Sequence, residues 1–177
     1  MTDLKRFSAS AIPADLRQPA WNEILSRLGL ASDAASSIRN DDSGHMALSV
    51  STRDSVFVQL TATPQILSPI VAKANQPLQG TVLVLALLDG TAQVLDAEQT
   101  VKLRSGDIML LDPSQSWRLA LQTSFRIMLI KLESSSFLLR LVRTGRQEAN
   151  RISTQQGIGA LCLNMLQSLT EQLPHVD

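Results

Sequence analysis

The clearest structural signal in the chain is a segment near its middle, which reads Leu103-Arg104-Ser105-Gly106-Asp107-Ile108-Met109-Leu110-Leu111-Asp112-Pro113. Its Ser-Gly-Asp tripeptide predicts a tight turn, because glycine tolerates the backbone angles that such a turn needs and aspartate can bond the turn's own backbone. Four apolar residues follow, and an Asp-Pro pair then interrupts them. The segment therefore predicts a short strand, residues 108–111, between two turns.

The same pattern of short apolar runs between turns extends in both directions, from Met46 to about Leu132. Turn residues recur about every 8 to 12 residues, which is typical of a β-sandwich or β-barrel. The segment between Pro64 and Pro69 must lie on a sheet edge if it is a strand, because proline cannot donate to a β-ladder. Other strands are predicted at residues 46–51, 56–61, 82–88, 91–95, 100–104, 108–111, 117–121 and 125–132.

The apolar segment Val82 to Leu88 runs directly into Asp89-Gly90. An Asp-Gly pair between two strands is a strong signal for a two-residue β-turn. The sequence therefore predicts a hairpin in which Thr91 to Leu95 pairs with the preceding strand.

Helical periodicity flanks the β region on both sides. A helix is predicted to begin at Pro19 and to end at Gly29. Its apolar residues have i, i+3, i+4, i+7 spacing and are Trp21, Ile24, Leu25 and Leu28. A second helix, ended by Gly145, is predicted to present Phe137, Leu138, Leu141 and Val142 on one face.

A last helix is predicted to begin near Ser153-Thr154. Leu161 and Leu163 lie off its main apolar stripe, so the apolar surface is wider than contact with one neighbour requires. We expect it to face both its own barrel and a second surface. The main stripe comprises Ile158, Cys162, Met165, Leu166, Leu169 and Leu173. The residues predicted for a dimer interface are Leu161, Met165, Leu166, Leu169 and Leu173.

The composition is typical of one soluble globular domain. The 177 residues are 44% apolar and 18% charged, with 16 basic and 16 acidic side chains. Balanced charge argues against a polyanion as the main partner of this chain, and 3% aromatic residues argue against a base-stacking platform. We expect residues 1–132 to form the first helix and the barrel, and residues 133–177 to form helices packed on that barrel within one domain.

The chain offers few side chains for metal or nucleophilic chemistry. Its only histidines are His45 and His175 and its only cysteine is Cys162, which leaves too few soft ligands for zinc and excludes an internal disulfide. No Gly-x-Ser-x-Gly elbow occurs. We therefore predict no catalytic residue, no metal site and no cofactor, with His45 in a surface turn and Cys162 as a small buried apolar residue.

Two further motifs have simple structural interpretations. Gly157-Ile158-Gly159-Ala160 resembles the start of a dinucleotide fingerprint, but it lacks the third glycine and a preceding strand, so a helix start is favoured. A basic cluster could form a phosphate patch, but a solvated helix face or pairing across a dimer is favoured. Its members are Arg140, Arg143, Arg146 and Arg151.

The N-terminal segment predicts a cytoplasmic protein. No apolar stretch with a small-residue cleavage site follows Arg6. The longest apolar run, Val82 to Leu88, is far shorter than the roughly 18 to 20 residues that a membrane-spanning helix needs.

Taken in order along the chain, these motifs resemble the N-terminal, cupin-like ligand-sensing domain of AraC/XylS-family transcription regulators. The resemblance extends over about residues 5–175, and the Gly-Asp turn that leads into Leu-Leu-Asp-Pro is its most specific part. The motifs that carry it are Trp21, 25–30 (LSRLGL), 85–90 (LALLDG), 103–113 (LRSGDIMLLDP) and 157–161 (GIGAL).

The resemblance implies a double-stranded β-helix barrel that binds a small organic effector, with C-terminal helices that mediate homodimerisation. In the family, two helix-turn-helix motifs then bind DNA, and the 177 residues leave no segment for them. We therefore expect DNA binding only through a domain not present in this chain. Enzymatic cupins hold a metal through histidines on their strands, and no predicted strand here carries one, so an enzyme is not expected.

If the barrel interior is the effector site, inward positions of its strands should line it. Trp117 combines a large apolar surface with one N–H that could orient a ligand, although a core tryptophan is the competing interpretation. The residues predicted to line the site are Val58, Leu60, Val101, Leu103, Trp117 and Leu119.

Two alternatives to the sensor hypothesis stay open at this point. The chain could be a dimeric interaction module whose barrel is filled by its own side chains, or a cupin-type enzyme with a bound metal. It could also be either part of a longer regulator or a stand-alone module.

Overall fold

The computed structural model describes residues 3–33, 46–51, 55–70, 81–97, 99–133, 150–152 and 157–172. These residues form two antiparallel β-sheets, a helix near each end and a 3₁₀ turn at Ala9–Ala11. The strands are β1 (Asp3–Ser8), β2 (Leu30–Ser32), β3 (Met46–Ser51), β4 (Ser55–Ala62), β5 (Gln65–Pro69), β6 (Thr81–Asp89), β7 (Thr91–Leu95), β8 (Thr100–Arg104), β9 (Ile108–Leu111), β10 (Arg118–Leu121), β11 (Phe125–Glu133) and β12 (Arg151–Ile152). The helices are α1 (Ala14–Arg27) and α2 (Gly157–Gln172).

The chain passes repeatedly between the two sheets. The larger sheet has seven strands in the order β1-β3-β4-β11-β6-β9-β12, and the smaller has five in the order β2-β5-β10-β7-β8. From β6 onward the chain thus enters the smaller sheet, returns with β9, leaves again with β10 and returns with β11. This is a jelly-roll arrangement, and it confirms the predicted mainly β, cupin-like fold.

The main hydrophobic core lies between the sheets, because alternate residues of each strand point inward. In β8, for example, Val101 and Leu103 are buried and Lys102 is exposed. Trp21 and Leu25 of α1 belong to the same core. A second, smaller cluster lies on the opposite face of the larger sheet, where α2 packs through Leu166.

The predicted hairpin at Asp89-Gly90 is wrong. β6 pairs with β9 and β11 in the larger sheet, whereas β7 pairs with β8 and β10 in the smaller one. Asp89-Gly90 is instead a corner at which the chain changes sheets, with Gly90 at a φ of 98°. An Asp-Gly pair favours the sharp turn, but each strand finds its partner through burial rather than through proximity in sequence.

The prediction of an edge position for residues 64–69 is also wrong. β5 lies between β2 and β10 in the smaller sheet. Neither proline interrupts the strand, because Pro64 precedes it and Pro69 is its last residue. The Ile70 N–H then donates to the Gly29 carbonyl at 2.8 Å, which continues the pairing past Pro69.

The N-terminal helix begins earlier than predicted. α1 starts at Ala14, after Pro13, so Pro19 lies inside the helix. The predicted helix start at Pro19 is therefore wrong. One missing N–H is tolerated because the buried Trp21 and Leu25 fix the helix against the core. Its predicted end is confirmed: Gly29 has a φ of 74° and donates to the Ser26 carbonyl at 2.9 Å. β1 and β2, on either side of α1, were not predicted.

The C-terminal helix α2 begins at Gly157, which confirms the helix-start interpretation of the glycine motif. Its sheet-facing stripe differs from the predicted one, since Leu163 packs against the sheet and Met165 is exposed. The predicted helix around 137–142 lies outside the described residues. Within the described part of the chain, no helix is long and apolar enough to cross a membrane.

Candidate functional site

The predicted effector-site residues lie together in the barrel. Val58 and Leu60 come from β4 in the larger sheet, and the others come from β8, from β10 and from the residue before β10 in the smaller sheet. All belong to the main core, and each is at most 3% exposed. These residues are Val58, Leu60, Val101, Leu103, Trp117 and Leu119. The chain's own side chains therefore contact one another where the sequence predicts a ligand.

Trp117 is fixed by the corner that joins β9 to β10. Its indole Nε1–H donates to the Asp112 carbonyl at 2.9 Å, and its side chain is 2% exposed. Asp112 in turn accepts from the Ser114 N–H at 2.8 Å, and its carbonyl also accepts from the Gln115 N–H at 3.0 Å. The N–H that the sequence suggested for a ligand thus already has a partner within the chain.

A second tryptophan, Trp21, forms a buried hydrogen bond with the side chain of Gln65. Trp21 Nε1–H donates to Oε1 of Gln65 at 3.2 Å, and Gln65 is 3% exposed. Nε2 of Gln65 is the only side-chain nitrogen or oxygen among the described, fully buried ones that has no hydrogen-bond partner. Leaving such a donor unpaired costs about 1–3 kcal/mol.

Sequence reasoning missed Gln65 because the segment between the two prolines was assigned to an edge. The sequence did contain one signal for an inward position of Gln65. Along a strand, alternate residues share a face, which places Gln65 on the same face as Leu67 and Pro69. The structure buries these three residues and leaves Ile66 and Ser68 half-buried. A glutamine at an inward position of a buried strand marks a polar group inside an apolar core.

A cleft lies beside this region, between α1 and the β1–β3 pair. Its volume is about 150 Å³, and its apolar lining comes from Phe7, Ala20, Ile24 and Ala47. Arg6, Glu23 and Arg27 complete the lining. Glu23 and Arg27 form an ion pair at 2.7 Å. Phe7 also packs against Trp21, with ring centroids 5.7 Å apart and ring planes at 47°.

The surface of α2 is apolar on two sides. Leu166 is 6% exposed and packs on the larger sheet together with Cys162 and Leu163. Leu161 and Met165, on the opposite side, are 69% and 61% exposed. Of the other predicted interface residues, the side chain of Leu169 and the whole of Leu173 lie outside the described residues.

A buried carboxylate connects the barrel to the segment before α2. Asp107, 5% exposed in the corner between β8 and β9, accepts through Oδ2 from the Arg104 N–H at 2.9 Å. The same oxygen pairs with Arg151 Nε at 3.2 Å, and Arg151 belongs to β12, which pairs with β9. Arg151 thus pairs within its own chain, while the other three arginines of the predicted basic cluster lie outside the described residues.

The described residues contain no group of three or more His, Cys, Asp or Glu side chains that could hold a metal ion. His45 and His175 both lie outside that part of the chain. Cys162 is a free thiol and is half-buried against the sheet, so it is less enclosed than the sequence predicted.

Comparison with known proteins identifies a family match and a solved structure that is similar over the whole chain. The family model for the AraC-binding-like domain matches residues 58–177. No curated protein matches the sequence. The crystal structure of the AraC-like transcriptional activator CuxR superposes with a TM-score of 0.68 at 13% identity, covering 100% of this chain and 63% of that one. This chain thus spans less than two thirds of the length of that activator.

Two other solved structures are similar over part of the chain. A transcriptional regulator of the HTH_3 family from Vibrio cholerae has a TM-score of 0.41 at 17% identity, covering 54% of each chain. The ethanolamine utilization protein EutQ from Salmonella typhimurium has a TM-score of 0.40 at 12% identity, covering 51% of this chain and 71% of that one.

Proposed function

This chain belongs to the AraC-binding-like domain family, and from that premise we propose that it is the effector-sensing and dimerisation module of an AraC-type transcription regulator. The family match over residues 58–177 is the observation that carries the proposal, because it begins within β4 and includes all the later barrel strands and α2. In this proposal the module acts in the cytoplasm, and DNA is contacted by a separate helix-turn-helix domain rather than by the barrel or α2.

The mechanism is differential binding. A small organic effector that prefers one arrangement of the barrel and the C-terminal segment shifts the population toward that arrangement. Two contacts support a connection between the parts: α2 packs on the larger sheet, and Arg151 pairs with the buried Asp107 at the β8–β9 corner. A change in the barrel core reaches α2 through the sheet on which it lies.

Homodimerisation is the second half of the proposal. Leu161 and Met165 present large apolar side chains to solvent on the side of α2 that faces away from the sheet. Neighbouring apolar side chains on a helix surface are typical of a contact with another protein surface. A second copy of the chain would cover these residues in an arrangement that places the same helix on both sides of a two-fold axis.

The test of sensing is stabilisation by a ligand. The melting temperature of the 177-residue protein is measured against a broad panel of small organic molecules. A true effector at a hundred times its Kd adds about 2.7 kcal/mol, which raises the melting temperature of a domain of this size by about 5–10 °C. A panel that leaves the melting temperature unchanged would reject the sensor role.

One observation favours a second candidate, a dimeric interaction module without a ligand. The six predicted effector-site residues are at most 3% exposed and pack together in one core. Such a barrel serves only as a scaffold for α2. The interaction-module candidate predicts a dimer in sedimentation experiments and a melting temperature that no compound of the ligand panel changes. The sensor candidate predicts that at least one compound raises the melting temperature.

We propose a non-catalytic role for either candidate. The chain has two histidines, and neither lies in a described strand, whereas cupin enzymes hold their metal through strand histidines. Elemental analysis of the purified protein tests this directly. Stoichiometric iron, manganese or zinc would contradict the non-catalytic role and support a cupin-type enzyme.

A further inference from the structure

Gln65 occupies an inward position at the start of β5. It stands opposite Leu121 of β10 in the register of the smaller sheet, and Leu67, the next inward residue, stands opposite Leu119. The glutamine and the three leucines are all buried. The amide therefore lies among the apolar side chains that fill the barrel, two positions from Leu119 of the predicted effector site.

The orientation of this amide is determined by Trp21. An indole N–H can only donate, so the glutamine atom that faces it at 3.2 Å must be the oxygen. Rotating the amide by half a turn would bring two donors together. The NH₂ group is consequently the half of the amide that does not face the indole N–H, and the structure gives it no partner.

The cleft between α1 and the β1–β3 pair lies next to Trp21, although neither Trp21 nor Gln65 is among the residues that line it. The cleft of about 150 Å³ is lined by Phe7, and Phe7 packs against Trp21, which contacts Gln65. A cavity of about this volume accommodates a benzene-sized molecule. For a ligand in this cleft to reach the amide, the Phe7 and Trp21 side chains must change position, and the binding experiment below tests this requirement.

The surroundings select the chemistry of the partner. The NH₂ group requires a hydrogen-bond acceptor, and the neighbouring core side chains require an apolar body. The described buried polar residues are Gln65, Thr81, Asp107, Asp112 and Asn150, and none of them carries a positive charge. An anionic group placed at the amide would therefore have no buried counter-charge, at a large desolvation cost. The arginines nearby, Arg6 and Arg27, line the cleft instead, and Arg27 is paired with Glu23.

We propose that the Gln65 NH₂ group is the polar anchor of the effector site, and that it binds the carbonyl oxygen of a small neutral molecule whose apolar part packs against Trp21 and Phe7. This inference rests on the proposed sensor function and specifies the site and the ligand class.

The test uses three probes with the same ring and nearly the same shape. Acetophenone carries a carbonyl oxygen, ethylbenzene lacks it, and benzoate replaces it with an anion. Binding of each to the 177-residue protein is followed through the side-chain NH₂ signals of Gln65 in ¹⁵N–¹H spectra. We expect acetophenone to shift these signals and to bind about tenfold more tightly than either of the other two.

The matched variants are Gln65→Met, which keeps the side-chain length without the amide, and Gln122→Met at an exposed corner. Gln65→Met should bind acetophenone about tenfold more weakly than the wild type, while Gln122→Met should bind it equally well. If Gln65→Met does not fold, the probe pair on the wild-type protein still decides the question.

Three results would overturn the inference: equal binding of acetophenone and ethylbenzene, benzoate binding as tight as that of acetophenone, or Gln65 signals that stay unchanged at millimolar acetophenone. Its failure is distinguishable from failure of the sensor function. A compound from the ligand panel that stabilises Gln65→Met as much as the wild type keeps the sensor role and rejects Gln65 as the anchor, whereas an inactive panel rejects the sensor role itself.

Discussion

Gly90 allows the chain to leave one sheet and enter the other within a single residue. Its φ of 98° lies in the left-handed region, and a Cβ atom there would be 2.8 Å from the Ser124 carbonyl oxygen and 2.9 Å from Thr123 Oγ1. The neighbouring corner is bonded to it, since Thr91 N–H donates to Thr123 Oγ1 at 3.1 Å and Gln122 N–H donates to the Thr91 carbonyl at 3.0 Å. Two corners thus pack closely at this end of the barrel.

We therefore expect Gly90→Ala to lower the free energy of unfolding by about 2–3 kcal/mol, from backbone strain and crowding together. Gly157→Ala is the matched control, because Gly157 also has a positive φ, 69°, but no atom lies within 4 Å of an added Cβ. Its loss should be about 1 kcal/mol. Urea denaturation measures both, and equal losses would show that the close approach at Gly90 does not matter.

At the scale of single elements, α2 has two apolar faces with different partners. Leu166 closes the second hydrophobic cluster, which also contains Ile130 from β11 and Leu88 from β6. Leu161 and Met165 project the other way and are mostly exposed. The wide apolar surface inferred from the sequence thus divides into a face on the chain's own sheet and an exposed apolar face, which we propose as the partner surface.

This division predicts unequal effects of two leucine truncations in one helix. Leu166→Ala should lower the free energy of unfolding by about 2–3 kcal/mol, since it removes buried contacts and leaves a cavity. Leu161→Ala should change it by less than about 0.5 kcal/mol in the monomer, because that side chain is exposed. Urea denaturation is followed at two protein concentrations, so that any dimer contribution appears as a concentration dependence. A larger loss for Leu161→Ala in the dilute sample would contradict the observed packing.

At the scale of the whole molecule, the fold separates the two proposed tasks. The main core and the Trp21–Gln65 contact lie between the sheets, while the proposed partner surface lies on α2, outside the larger sheet. β12 and the Asp107–Arg151 ion pair connect the barrel to the segment that precedes α2. A ligand and a second subunit can therefore act on opposite faces of one sheet.

Dimerisation is tested by placing a charge on the proposed interface. The wild-type protein should sediment as a dimer at tens of micromolar. Leu161→Glu and Met165→Glu should each shift it to the monomer without loss of β-sheet circular dichroism, because a buried unpaired carboxylate strongly disfavours the contact. Gln122→Glu adds the same charge at an exposed corner and should leave the dimer intact. A wild-type protein that is monomeric at this concentration rejects the dimer proposal.

Local patterns in the sequence were sufficient for the strands between Met46 and Glu133, for the turns at Gly29 and Gly106, and for the existence of α2. These features depend on period-two or helical burial and on backbone angles that glycine adopts, all of which involve neighbouring residues. Family membership followed from the order of the same motifs, and the family match supports it.

Other features depended on which distant segments pack together. β6 and β7 flank an Asp-Gly turn yet belong to different sheets. β5 is not an edge strand, because the unpredicted β2 pairs with it. In α2, Leu166 is buried against the sheet, whereas Met165 is exposed. The local pattern predicts an edge position for Gln65, whereas Trp21, 44 positions away, donates to it inside the barrel. Strand pairing and burial depend on contacts between residues that are far apart in the sequence. The short-range pattern that predicts a strand therefore does not specify which strand pairs with it or which polar group is buried beside it.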